Sequence, residues 1–171
     1  SDRLVRRLVP GHVSVADPVV QDLRDDVLVP PGRPLHDFAN LYFNARNPMM
    51  YVRRGMHEEI CVLRISPAVL DLEGVIVTDG NASSGYTRFY PPDAGITALD
   101  HELVFARYWT DDNSFRYLEK KRKIAAEVLV PERLNSSYIV GIWVSGETGM
   151  RRLAAIGVER PVAINRDLFF V

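Results

Sequence analysis

The sequence predicts a single α+β domain whose sheet is mixed or antiparallel. Apolar runs typical of β-strands outnumber convincing helical patterns, and the helical patterns lie scattered between the strands instead of alternating regularly with them. A length of 171 residues with 47% hydrophobic content suffices for one domain with a full core. We therefore expect helices at the periphery of a sheet rather than a parallel α/β fold.

The N-terminal part of the chain predicts short helices and a short extended run. Apolar residues at helical spacing predict a helix over 2–8 and a second one after Asp17-Pro18, which form a cap and first-turn pair. An extended run over 27–29 is closed by Pro30-Pro31-Gly32. These short segments, each ended by proline, glycine or charged residues, come directly before the first clearly predicted strand.

That strand is predicted to be half-buried and to end beside an arginine. Apolar and polar residues alternate over 39–44, so Asn40 and Tyr42 share the polar face. Pro48 lacks a backbone donor and moves the preceding residue away from helical angles, so the chain must turn there. Arg46 is therefore presented at a strand end, either as a surface charge in a loop or as part of a site.

The middle of the chain predicts two strands and a long loop. Residues 60–65 and 75–78 are apolar runs that predict strands, and the first strand, with Cys61 in it, is expected to be buried. Asp79-Gly80-Asn81 favours a tight turn with positive φ. Residues 83–95 are rich in Ser, Gly, Tyr and Pro and predict a loop, and loops of this length are frequently functional.

A basic, aromatic segment precedes a strand that contains a carboxylate. Residues 116–123 carry five positive charges and one negative. This pattern suits a solvated helix face or, with Tyr108 and Trp109 nearby, a basic groove that stacks nucleobases. Residues 124–131 predict a strand in which Glu127 stands among apolar neighbours. Glu127 needs a partner, and the alternatives are a structural ion pair with Arg or Lys and a role in chemistry.

The C-terminal part predicts a strand, a helix and a last strand. The strand covers 138–144, and Ser145 is expected to cap a helix over 147–156 that ends at Gly157. The last strand lies around 162–164, before an apolar tail.

Composition excludes several classes of protein. The formal net charge is -1, so any nucleic-acid binding must come from local clusters. A single cysteine permits no internal disulfide and indicates a reducing cytoplasm. No run approaches the roughly 20 apolar residues of a membrane span. Neither metal-ligand spacings nor a G-x-G-x-x-G loop occurs, so we expect no metal and no Rossmann-type NAD site.

Three motifs, in order, resemble the DarT family of toxins, which transfer ADP-ribose from NAD to bases in single-stranded DNA. They are Tyr42-Phe-Asn-Ala-Arg-Asn-Pro-Met, Thr78-Asp-Gly-Asn-Ala, and Ala126-Glu-Val-Leu-Val after a basic run. The resemblance covers roughly residues 12–144 and implies an ADP-ribosyltransferase-like split sheet with peripheral helices. It also implies that NAD is consumed as co-substrate and that the partners are single-stranded DNA and a cognate macrodomain antitoxin.

The resemblance assigns the chemistry to Arg46 and Glu127, both as catalytic and as NAD-binding residues. Cleavage of the bond between nicotinamide and ribose creates positive charge on the ribose, which a carboxylate such as Glu127 stabilises. The family assigns removal of the base proton to the arginine. Because a guanidinium is always protonated, we describe Arg46 first as an anion stabiliser and phosphate contact. We expect additional substrate contacts from Tyr42, Asn81, Tyr108 and Trp109.

The sequence also departs from the family pattern. The family opens with a strand bearing an H-I-T-type phrase that holds the nicotinamide amide, and His12 and His36 do not match it. We therefore expect the chain to lack its native N-terminal strand. Ala125 stands where a glutamine is often found, two residues before the catalytic glutamate. The alternative functions are a nucleic-acid-binding module without NAD turnover and a small-molecule or protein-directed transferase.

Overall fold

The computed structural model describes residues 18–171, with side chains from residue 22 onward. The helix predicted over 2–8, the cap at Asp17 and His12 lie outside the described residues. The chain divides into two compact units. Of the described residues, the first unit contains 18–43 and Leu70–Leu134, and the second consists of Asn44–Val69 and Asn135–Val171. Each unit mixes helices with a sheet, which confirms the predicted α+β class.

The first unit is built on a four-stranded antiparallel sheet with β7 near its centre. In spatial order its strands are β3 (Phe38–Tyr42), β7 (Glu127–Pro131), β5 (Ile76–Thr78) and β6 (Phe89–Tyr90). A separate two-stranded ribbon joins β1 (Leu28–Val29) to β2 (Arg33–Pro34). The predicted extended runs at 27–29, 39–44, 75–78 and 124–131 are thus confirmed as strands, with shorter bounds.

The register of β3 on β7 decides what surrounds the carboxylate. Tyr42 lies opposite Glu127, and Asn40 lies opposite Leu129. Directly opposed residues share a face of the sheet, so the predicted polar face of β3 is the face that carries Glu127. Leu129 packs in an apolar cluster with Phe38 and three other buried residues, Val29, Leu35 and Ala82. Glu127 therefore lies on the face of β7 that packs into the core.

Among the described residues of the first unit, 18–43 and 70–134, four segments form helices, and one of these helices corrects the predicted loop over 83–95. They are α1 (Pro18–Asp25), α3 (Pro92–Ala98), α4 (His101–Val104) and α5 (Ser114–Lys123). The predicted loop contains β6 and the first turn of α3. Gly95 is not a loop residue: a Cβ there would lie 2.4 Å from the Cβ of Val77, so glycine allows α3 to pack closely on β5.

The second unit has a mixed three-stranded sheet and two helices. In spatial order its strands are β4 (Val62–Ile65), β8 (Ile139–Val144) and β9 (Val162–Ile164), with β4 antiparallel and β9 parallel to β8. The helices are α2 (Pro48–Val52) and α6 (Glu147–Ala155). The chain passes from this unit to the first through a 3-10 helix, Pro67–Asp71, where a helical turn was predicted.

The prediction of a buried strand at 60–65 is wrong in its burial. β4 lies at the edge of its sheet and leaves Leu63 exposed. An apolar run identifies a strand but does not show whether both of its faces are covered. Cys61 precedes the strand and is half-buried rather than buried. Desolvation still raises the pKa of its thiol above the ordinary value.

The predicted cap of α6 is also wrong, although its end is confirmed. Gly146, not Ser145, occupies the N-cap position. The Ser145 hydroxyl donates instead to the carbonyl of His57 over 3.0 Å, and lies 2.9 Å from the Nδ1 atom of the same residue. His57 is half-buried. Gly157 ends the helix with a φ of +72°.

Candidate active site

Glu127 begins β7 and is completely buried, with 0% of its surface exposed. A buried carboxylate is tolerated only when it is paired and hydrogen-bonded. Both of its oxygens meet these conditions. The Oε2 atom accepts from Arg24 Nη2 over 3.0 Å and from Asn40 Nδ2 over 2.8 Å. The Oε1 atom accepts from the backbone N–H of Ala82 over 2.9 Å and from Arg24 Nη1 over 3.4 Å.

The Thr78–Ala82 motif delivers the backbone contact to Glu127. The Glu127 N–H donates to the Thr78 hydroxyl over 3.0 Å, and that hydroxyl lies 2.7 Å from the carbonyl of Gly80. The chain then returns so that the Ala82 N–H reaches the carboxylate. Two motifs that are 49 positions apart at Thr78 and Glu127 are thus joined by direct hydrogen bonds.

The prediction of positive φ in this turn is wrong. Among residues 18–171, positive φ at glycine occurs at Gly32, Gly74 and Gly157, and not at Gly80. Gly80 is required for close approach instead. A Cβ at this position would lie 2.5 Å from Arg122 Nη1 and 3.1 Å from the Arg122 carbonyl oxygen. The Arg122 carbonyl also accepts the N–H of Asn81 over 2.9 Å, which fixes the turn against α5.

The charges around Glu127 shift the ionisation of its neighbours. Burial is the largest influence on the pKa of Arg24 and lowers it, but the charge and hydrogen bonds of Glu127 outweigh burial and leave that pKa raised. Burial, and then the negative charge of Glu127, raise the pKa of Tyr42 well above its ordinary value. At neutral pH the site therefore holds a charged guanidinium and a neutral phenol beside the carboxylate.

Arg46 lies in the second unit, where a local turn and the C-terminal segment hold it. Its backbone N–H donates to Asn44 Oδ1 over 2.8 Å, in the bend before α2. Its Nη1 atom donates to the carbonyl of Asp167, and its guanidinium carbon stands 3.8 Å from the centroid of the Phe170 ring. The side chain is half-buried. As predicted, Asn47 is extended, and it caps α2 by accepting the N–H of Met50 over 3.1 Å.

The four additional residues predicted to contact substrate occupy different surroundings. Tyr42 is the direct neighbour of Glu127 in the sheet. Asn81 uses its side-chain oxygen within its own turn, accepting from the N–H and hydroxyl of Ser83 over 2.9 and 2.8 Å. Tyr108 is 60% exposed, whereas Trp109 is buried, with 9% exposed. Of the two rings, Tyr108 is therefore the accessible one.

The basic segment forms a helix, as predicted, but most of its charge is neutralised. Three cations of α5 form ion pairs with aspartates from preceding loops: Lys120 with Asp111 (2.8 Å), Arg122 with Asp79 (3.0 Å) and Lys123 with Asp100 (2.9 Å). Within residues 18–171 no ion pair involves Arg116 or Lys121. These contacts favour the structural interpretation for three of the five cations in this segment.

The sequence did not identify Arg24 as a partner of Glu127. Arg24 stands in the last turn of α1, 103 positions before Glu127, and no spacing rule connects the two. Asn40 was placed on the correct face by strand alternation, but its contact with Glu127 required the register of β3 on β7. Over the described residues, no group of three or more His, Cys, Asp or Glu side chains could hold a metal ion, and no helix is long and apolar enough to span a bilayer.

Comparison with known proteins identifies relatives along the whole chain. A family model described as "ssDNA thymidine ADP-ribosyltransferase, DarT" matches residues 1–170. A DNA ADP-ribosyl transferase of Thermus sp. (strain 2.9) is 33% identical over 132 residues, which are 71% of this chain and 61% of that protein. A fusion of a DNA ADP-ribosyl transferase with a DNA ADP-ribosyl glycohydrolase, from Thermosipho africanus (strain H17ap60334), is 33% identical over 131 residues. The match covers 71% of this chain but 31% of the fusion protein.

Solved structures of such proteins share the fold. Thermosipho africanus DarTG in complex with ADP-ribose matches with a TM-score of 0.83 and 26% identity, over 100% of this chain and 46% of that chain. Thermus sp. 2.9 DarT in complex with ADP-ribosylated single-stranded DNA matches with a TM-score of 0.81 and 26% identity, over 94% and 82%. The same protein in complex with NAD+ matches with a TM-score of 0.74. These matches confirm the expected ADP-ribosyltransferase-like fold.

Proposed function

The chain belongs to the DarT family of DNA ADP-ribosyltransferases, and we propose that it transfers ADP-ribose from NAD to a thymidine base of single-stranded DNA. The observation that carries the proposal is the surroundings of Glu127. The family's carboxylate is held by a guanidinium, an amide and a backbone N–H, so it has a counter-charge and a fixed orientation. A fixed negative charge is what a developing ribosyl cation requires.

In the proposed reaction the bond between the ribose carbon and the nicotinamide nitrogen breaks, and nicotinamide leaves with the electron pair. Positive charge accumulates on the ribose, where Glu127 stabilises it. A nitrogen of the acceptor base then bonds to the ribose carbon, and the proton of that nitrogen passes to solvent water. Arg46 would stabilise negative charge on the base and contact the phosphates, because planar guanidinium groups bind such anions in a bidentate manner.

One observation favours a second candidate, a nucleic-acid-binding module without NAD turnover. Glu127 has no exposed surface, and each of its oxygens already accepts two hydrogen bonds. Transfer requires that a ribose hydroxyl reach this carboxylate, so one of these bonds must give way. In the second candidate the carboxylate keeps all four hydrogen bonds and serves only to hold the fold together.

Intact-mass measurement of an oligonucleotide tests both candidates. The protein is incubated with NAD and a single-stranded oligonucleotide that contains one thymidine. We expect one ADP-ribose to be added, and none when deoxycytidine replaces the thymidine or when the variant is Glu127→Gln. Retained strand binding without added mass would establish the second candidate. Mass added to a protein acceptor would indicate a protein-directed transferase instead.

We also propose that the protein acts as a cytoplasmic toxin paired with a macrodomain antitoxin. The Thermosipho africanus relative, in which a DNA ADP-ribosyl transferase is fused to a DNA ADP-ribosyl glycohydrolase, supports this pairing of opposed activities. Expression in a bacterial host tests it. Growth should stop with the wild-type chain, continue with Glu127→Gln, and resume when a DNA ADP-ribosyl glycohydrolase is co-expressed. Unimpaired growth with the wild-type chain would contradict the toxin role.

A further inference from the structure

The carboxylate of Glu127 has no lone pair left for a substrate. An ionised carboxylate offers about four acceptor positions, and four donors from three residues occupy them: Arg24 Nη1 and Nη2, Asn40 Nδ2 and the Ala82 N–H. Three of these hydrogen bonds are 2.8–3.0 Å long. The fourth, from Arg24 Nη1 to Oε1, measures 3.4 Å and is the weakest.

The three partners of Glu127 differ in whether they only orient the carboxylate or also balance its charge. Asn40 and the Ala82 N–H are neutral donors, so they orient the carboxylate without balancing its charge. Arg24 alone of the three brings a positive charge, and its side chain is 8% exposed. A buried carboxylate without a counter-charge takes up a proton more readily and loses its negative charge. Arg24 therefore supplies the counter-charge for the carboxylate on which the proposed chemistry depends.

We propose that Arg24 is a positioning residue for the transfer reaction: it keeps Glu127 charged and oriented through Nη2, and it yields the long Nη1 contact to a ribose hydroxyl of NAD. The proposal rests on the proposed function, since it names a residue that acts through Glu127. One good hydrogen bond to Oε2 remains when Nη1 is displaced. The carboxylate thus gains an open acceptor position without losing its counter-ion.

Two substitutions at Arg24 and one matched control separate charge from geometry. Arg24→Gln removes the positive charge. Arg24→Lys keeps the charge but loses the planar guanidinium, which presents two donor nitrogens to the carboxylate. Arg33→Gln is the control, because Arg33 forms ion pairs with Asp37 and Glu132 in the same unit, at 3.8 and 3.6 Å, without touching Glu127. Each variant is assayed for kcat and the NAD KM across pH, and for the titration of Glu127 by NMR with 13C-labelled glutamate carboxyls.

For Arg24→Gln we expect kcat to fall about tenfold or more, with less than about a threefold change in the NAD KM. The acid limb of its pH-rate profile should move up by about one pH unit or more, because the buried carboxylate loses its counter-charge. For Arg24→Lys the acid limb should stay at its wild-type position while kcat remains reduced. Arg33→Gln should match the wild type in every measurement.

The outcomes distinguish this proposal from the proposed function. An absence of transfer by the wild-type chain would contradict the function, while the NMR titration would still report whether Arg24 holds the carboxylate charged. An unchanged Glu127 titration in Arg24→Gln would overturn the role of Arg24, even if transfer were observed. If Arg24→Gln does not fold, Arg24→Lys decides the matter, because wild-type kcat with one donor nitrogen in place of the guanidinium pair would overturn the proposal.

Discussion

The two residues that the family motifs single out are held in opposite ways. Glu127 is fully buried in the first unit and fixed by an ion pair and neutral donors from distant parts of the chain. Arg46 is half-buried in the second unit and fixed by its own turn and by a ring from the C-terminal segment. Strand register and an ion pair fix Glu127, whereas local backbone hydrogen bonding and stacking on an aromatic ring fix Arg46.

This difference predicts that the two residues contribute differently to stability and to function. A buried charge cannot lose its partner without leaving an uncompensated ion in the interior. A half-exposed guanidinium that loses its contacts is solvated by water instead. Substitutions at Glu127 should therefore affect folding and activity together, whereas substitutions at Arg46 should affect activity almost alone.

The largest effect on folding is expected for Glu127→Ala. Its loss leaves Arg24 buried without a counter-ion, so we expect the free energy of unfolding to fall by about 3–5 kcal/mol. Urea denaturation measures this change. Glu119→Ala is the control, because Glu119 pairs with Lys123 at 3.9 Å on an exposed helix face, and its removal should cost about 0.5 kcal/mol or less. Equal stability of the two variants would show that the buried pair contributes nothing.

Arg46→Ala should separate activity from stability. We expect the rate of ADP-ribose transfer to fall about 100-fold, as when one anion-stabilising donor is removed. The free energy of unfolding should fall by about 1 kcal/mol or less, since the lost contact with Phe170 is a partly exposed cation–π interaction. Initial rates and urea denaturation provide both numbers. A loss of stability as large as that of Glu127→Ala would contradict the proposal that Arg46 contributes to activity almost alone.

The fold follows from the sequence to the extent that its signals are local. Alternation located β3 and assigned Asn40 and Tyr42 to one face, and an apolar run located β7. Local pattern failed where the packing of another element decides the conformation. Gly95 belongs to a helix because it lies against Val77, and Ser145 does not cap α6 because its hydroxyl bonds to His57.

The site follows from the sequence less completely, for the same reason. Motif resemblance singled out Glu127 and Arg46 as candidates, but no local signal pointed to Arg24, whose partner lies 103 positions away. A run of cations in α5 was visible in the sequence, whereas the aspartates that neutralise it come from three different loops. Long-range ion pairs depend on how the helices and strands pack, and no local pattern in a single sequence indicates which distant residues will pair.

A smaller effect is expected for Phe170→Ala. The ring stacks on Arg46 and meets Tyr51 edge-on with the ring centroids 5.3 Å apart. Loss of the stacking should raise the NAD KM by about two- to fivefold, which corresponds to about 0.5–1 kcal/mol. Steady-state kinetics measure the change, and Phe170→Leu and Val171→Ala are the controls for volume and position. An unchanged KM in Phe170→Ala would mean that the turn before α2 orients Arg46 without the ring.

The smallest effect is expected for the ion pair between Lys123 and Asp100, which is partly exposed and lies in the unit that contains Glu127. It tests whether burial or ion pairing causes the difference between Glu127 and Arg46. The hydrogen bond from Lys123 and the N–H of Leu103 lower the pKa of Asp100 below its ordinary value of 3.8. A lowered pKa adds stability that is complete above pH 4 and is lost as pH falls through the folded-state pKa. Asp100→Asn still caps α4 but loses the charge.

Because solvent screens this pair, the difference in unfolding free energy between pH 7 and pH 3 should be smaller in Asp100→Asn than in the wild type by about 0.5 kcal/mol or less. Urea denaturation at both pH values measures it, and a change of several kcal/mol would show that pairing alone, without burial, fixes side chains in this unit.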